Sequence, residues 1–151
     1  MNSFKENIAL LRTRGTAAIE FALIAPFLLI ALIGVVELSF AIREAMIVQD
    51  AAEAGAIYAE RYGWDQAAIA SAVVQATDAK NLTADPAPFL FCGCPSDGGI
   101  TAISCDSFCP DDSSPGEYAR ISASIPHTAI LTSLGLPIPA VLTGHAVTRV
   151  Q

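Results

Sequence analysis

Between Thr16 and Ile42 the chain carries only two charges, Glu20 and Glu37, and none from Phe21 to Val36. No other feature constrains the fold as strongly. At 1.5 Å per residue a helix over this stretch is about 40 Å long, enough to cross a hydrocarbon core of ~30 Å. A cleaved secretory signal has a shorter apolar region and a small-residue cleavage site at its outer end. Here the apolar run passes without a break into more helical sequence, so a retained single-pass anchor is expected. Glu20 is costly inside it, by roughly 2.5–3.5 kcal/mol at a helix centre. Either a cation neutralises this carboxylate, or it reaches back to the interface, since it stands only about 7 Å into the helix. Glu37, near the outer end, reads first as an interface marker and second as a partner contact. Pro26 cannot donate to the carbonyl of Ala22, so a loosening is expected there, with Gly34 a second soft point.

Charge sets the orientation. Residues 1–14 hold Lys5, Arg12 and Arg14 against Glu6, while the rest of the chain holds 14 acids and 5 bases. Basic residues just before an apolar span stay in the cytoplasm, which places the acidic remainder outside. Beyond residue 14 there is no Lys/Arg cluster, and nucleic acid is not an expected partner.

The stretch Arg14-Gly15, then Ala17-Ala18-Ile19-Glu20-Phe21-Ala22-Leu23, Pro26 and Gly34-Val35-Val36-Glu37 resembles the N-terminus of the TadE-like family. That family comprises minor pseudopilins of the tight-adherence (Flp, type IVb) pilus machinery. The likeness is dense over residues 14–62 and only architectural beyond. It implies that a prepilin peptidase facing the cytoplasm cuts between Gly15 and Thr16, leaving the glutamate at the fifth mature position. Such a cut would remove Lys5, Arg12 and Arg14 and create a free amine on Thr16. In a packed assembly, Glu20 of one subunit could then neutralise the Thr16 amine of another, a pairing that speaks for register more than for net stability.

From Arg43 to Tyr62 the pattern turns amphipathic. Ala45, Val48, Ala52, Gly55, Ala56 and Ala59 share one stripe, with Arg43, Gln49, Asp50, Glu53, Glu60 and Arg61 opposite. Small residues permit close approach by another helix in a filament, or by a sheet of the same chain. Gly63 ends this element and Asp65 caps a second helix, Gln66 to about Ala79, with Ile69, Ala70, Val73 and Ala76 on one face. Asp85-Pro86-Ala87-Pro88 marks a loop.

Cys92, Cys94, Cys105 and Cys109 lie within a Gly- and Pro-containing segment. Outside the cytoplasm an even number of cysteines points to disulfides; three pairings exist, and Cys92–Cys94 closes too strained a ring. A four-thiolate zinc site is the rival, although Cys-x-Cys fits its usual knuckles poorly. The family resemblance says nothing about these cysteines. Farther on, Ala119, Ile121, Ala123 and Ile125 alternate with Tyr118, Arg120, Ser122 and Ser124 in a half-buried strand. Residues 140–150 read as another strand, Leu136-Pro137-Ile138-Pro139 separates the two, and Phe89–Cys92 adds a short third. His127 and His145 read as surface or core histidines. No G-x-S-x-G, H-E-x-x-H or P-loop occurs, and neither an enzyme, a metal nor a cofactor is expected.

The chain therefore reads as α+β. A leader (1–15) precedes a membrane helix (16–42), its amphipathic extension (43–63), and a module (64–151) with a short helix, a small antiparallel sheet and a cysteine-rich loop (92–109). The resemblance implies a pilus-assembly subunit of the bacterial inner membrane, N-terminus cytoplasmic and module periplasmic, with entry into the pilus left open. Its implied partners are the lipid bilayer, a prepilin peptidase, other pilins and the inner-membrane assembly proteins. A membrane-anchored periplasmic binding or metal-handling module, or an anchored hydrolase, is the alternative.

Overall fold

A computed structural model describes residues 2–128 and 139–150, with the backbone alone over residues 2–16. The expected Leu136–Ile138 separator lies outside the described residues. Helix α1 runs from Asn2 to Tyr62 and contains Pro26, and α2 spans Gln66–Gln75. Four strands follow: β1 (Phe89–Ser96), β2 (Gly99–Ala102), β3 (Gly116–Pro126) and β4 (Val141–Arg149). The chain divides into two compact units, Met1–Ser39 and Phe40–Gln151.

In the first unit the apolar side chains described from Ala17 onward face outward. Phe21 and Phe27 are 67% and 73% exposed. An apolar sleeve of this extent is not stable against water and calls for lipid or other helices around it. By length and composition the helix is apolar enough to cross a membrane, which suits a membrane anchor. Ser39 returns its hydroxyl to the carbonyl of Val35 at 2.8 Å, a local bond that hides its polarity within the helix. Glu37, toward the outer end of the apolar stretch, is buried.

In the second unit, α1 from Phe40 onward packs with α2 against one face of the sheet. Val48, Ala51, Ala52 and Ala59 from α1 meet Ile69 and Val73 from α2 and Ala119, Ile121 and Ala123 from β3, all essentially inaccessible. The small-residue stripe is therefore a core face of this chain. Its register differs slightly from the sequence reading: Ala45 is exposed and Ala51 takes a core position. Smallness has a steric reason here. A Cβ at Gly144 of β4 would collide with the backbone of Val48 and Gln49, and one at Gly55 would meet Ile121 at 2.9 Å.

Helix α1 stops at Gly63, whose φ of +81° suits a residue without a side chain and whose N–H closes on the carbonyl of Ala59 at 3.0 Å. Asp65 caps α2, accepting the N–H of Ala68 at 3.0 Å. That helix ends at Gln75, short of the expected Ala79, as Thr77 turns its hydroxyl to the N–H of Ala79. All strand pairs are antiparallel and the sheet order is β2-β1-β3-β4. Strand β2 escaped the sequence reading. Asp97-Gly98 is the two-residue turn that joins it to β1, a hairpin signal overlooked beside the cysteines.

Candidate processing and assembly segment

Gly15 and Thr16 both lie within the helical backbone of α1, as does Glu20. Thr16 and Glu20 are four residues apart, so their Cα atoms are separated by about 6 Å of helix rise on one face. The Thr16 side chain lies outside the described residues. Glu20 is exposed between Ile19, 64% exposed, and Phe21. Its carboxylate is thus presented to whatever surrounds the helix, and among the described residues no cation lies within ion-pair distance of it.

The four cysteines pair as Cys92–Cys105 and Cys94–Cys109, with Cα–Cα distances of 5.1 and 5.6 Å. The two bonds run side by side because Cys92 and Cys94, two apart on β1, present their side chains to the same side. They staple the loop between β2 and β3 to the sheet. All four thiols are consumed, so none serves as a thiolate ligand.

Both histidines have partners that strand spacing did not reveal. His127, just past β3, donates from Nδ1 to the Glu44 carboxylate at 2.6 Å. The partner comes from helix α1, 83 residues away in the chain, which is why a search along the strands missed it. The imidazole is nearly inaccessible, and its Nε2 is buried with no hydrogen-bond partner among the described residues. His145 on β4 shares a hydrogen bond of 3.1 Å between Nδ1 and Ser122 Oγ. Ser122 is 1% exposed beneath it, and among the described residues no carboxylate orients the ring. Ser122 and His145 together line a shallow cavity on this side of the sheet. On the backbone side, Gln49 accepts the N–H of His145 at 3.3 Å and donates to its carbonyl at 3.2 Å. Gln49, expected on the solvent side of the helix, instead clasps the edge strand of the sheet.

Other polar chemistry is sparse. Among the described residues no group of three or more His, Cys, Asp or Glu is placed to hold a metal ion. Ser122 and Ser124, expected on the open side of β3, are both buried. Ser124 is covered by Thr83, whose hydroxyl lies 2.9 Å from its own and whose backbone pairs with it.

Residues 15–56 match the model of the family described as TadE-like protein. The match begins at Gly15, takes in Glu20 and Pro26, and ends inside the core-forming part of α1, so this stretch of the chain is TadE-like. No curated protein and no solved structure matches the chain.

Proposed function

We propose that the chain is a membrane-anchored, non-enzymatic pseudopilin that takes part in assembling a tight-adherence (Flp, type IVb) pilus. The observation that carries this reading is the TadE-like match over residues 15–56, which starts at the glycine where a prepilin peptidase would cut. In this reading the leader holds the N-terminus at the cytoplasmic surface of the bacterial inner membrane until cleavage after Gly15. The new Thr16 amine and the exposed Glu20 then form the charge pair that sets the helix register against other pilins or the inner-membrane assembly proteins. The two disulfides suit a periplasmic module, where thiols are oxidised. They also remove the basis for a metal-handling role built on the cysteines.

The first test is N-terminal sequencing of the protein purified from membranes of piliated cells. The expected first residue is Thr16; a chain that still begins at Met1 overturns the maturation step. The second is Glu20→Ala, for which membrane insertion holds or improves while pilus assembly falls at least tenfold. Normal piliation would remove the pairing role. Labelling with a serine-reactive fluorophosphonate addresses the hydrolase alternative, and no incorporation at Ser122 is expected.

A further inference from the structure

The face of the sheet turned away from the helices carries three side-chain rows set by strand register. Phe89, Arg120 and Val147 form one, Phe91, Tyr118 and Arg149 the next, and Ser122 with His145 the third. Phe89 and Val147 are 41% and 42% exposed, whereas Tyr118 and Ser122 in the same rows are buried beneath their neighbours, so the open part of this surface is the patch around Phe89, Arg120 and Val147. The Arg120 guanidinium lies over the rings of Phe89 and Phe91, 6.0 and 5.5 Å from their centroids, within cation–π range of both. Among the described residues neither Arg120 nor Arg149 has a carboxylate within ion-pair distance. Residues 40–151 hold 12 acids and 5 Lys/Arg, and two of those five bases stand on this one face. A shallow cavity of about 490 Å³ opens here between Pro86, Phe89, Arg120, His145 and Val147.

The stapled loop is the complement of that face. Phe108 at its tip is 72% exposed, although it immediately precedes the disulfide-bonded Cys109. Asp106, Asp111 and Asp112 flank it within four residues. The loop is held rigid by both disulfides and by the bonds from the Cys109 N–H to Ser113 and from the Asp112 N–H to Cys109. The Ser113 hydroxyl and N–H donate to Asp111 and hold its carboxyl below the usual carboxylate range, so it stays ionised. Cys92 and Cys94 alternate with Phe91 along β1, so the loop is fastened from the opposite side of the sheet. An aromatic side chain on a braced loop, flanked by charge, suits an interface anchor, because little backbone ordering is left to do on contact.

We propose that the Arg120 face receives the Phe108 loop of a second copy of this chain. The ring of Phe108 enters the cavity beside Phe89 and Val147, and the loop carboxylates meet Arg120 and Arg149. Loop and face are different patches, so such a pair keeps one unused loop, on the copy that supplied its face, and one unused face, on the copy that supplied its loop. The contact is heterologous and can extend to further copies. It involves neither the leader nor the membrane helix, and so stands or falls separately from the maturation reading.

The test uses the full-length chain in detergent micelles with Glu20→Ala in every sample, so that helix pairing does not contribute. Copies bearing two different affinity tags are mixed and co-purification is measured. Arg120→Glu spoils the face, and Asp106→Arg with Phe108→Ala spoils the loop; non-reducing mass spectrometry checks that both disulfides persist. Each variant alone should co-purify at least tenfold less than the intact module. Mixing the two variants should restore capture, because one still has a native loop and the other a native face. Failure of the intact module to self-associate, unchanged capture in either variant, or loss without restoration in the mixture each overturns the proposal. Unchanged capture in the face variant would leave the surface to a different acidic partner.

Discussion

The two units of this chain use one helix in opposite ways. From Ala17 to Ser39 the large apolar side chains of α1 are exposed, as with Phe21, Phe27 and Leu29. From Val48 to Ala59 the core-facing ones are small and covered, packed against β3 and α2. A membrane helix gains from bulk all around because lipid wets every side, whereas a helix lying on a sheet gains from closeness on one side. The difference teaches that small residues in α1 do not by themselves signal association between subunits. Here they are used up within the chain, and the exposed groups that the proposals above assign to partners, Glu20 and the outer sheet face, lie elsewhere.

That contrast can be broken where it is strongest. Replacing all four cysteines by serine should be the largest single blow to the second unit, since each closed loop of 13 or 15 residues is worth about 3 kcal/mol. Urea unfolding in detergent should show the sheet lost early while helical circular dichroism from the first unit persists; a coincident loss of both would show the units to be coupled. Ile121→Ala comes next, with about 2–5 kcal/mol expected for emptying a fully buried site. It should lower the same transition and leave membrane insertion unchanged. Gly144→Ala probes the helix–sheet contact directly, because the added methyl runs into the backbone of Val48 and Gln49, which must move apart to admit it. A cost of about 1–3 kcal/mol in the urea midpoint is expected, and no cost would mean that helix and sheet are less closely apposed than described here.

Much of this architecture was legible beforehand. The apolar run, the Gly63 stop, the Asp65 cap and the alternation through Tyr118–Ile125 are local signals, and each names its element through a mechanism confined to a few residues. Contacts that join distant residues were not legible. Nothing near His127 announces Glu44, and nothing near Gln49 announces the backbone of His145. The cysteines announced cross-links but not which with which, since three pairings share the same spacing. Ser122 looked open because alternation alone assigns a face; whether that face is covered depends on what a neighbouring strand carries. For the candidate processing segment, the residues and their spacing are the whole of the signal, as Glu20 makes no contact among the described residues that would mark it.

Gln49 has one more consequence. Strand β4 is an outermost strand, and an outermost strand is a standing template on which a foreign peptide can hydrogen-bond and grow a cross-β stack. By occupying both main-chain groups of His145 midway along β4, the Gln49 amide breaks that template into two short stubs. A peptide laid along this border would have to displace the Gln49 amide before it could pair with the middle of the strand.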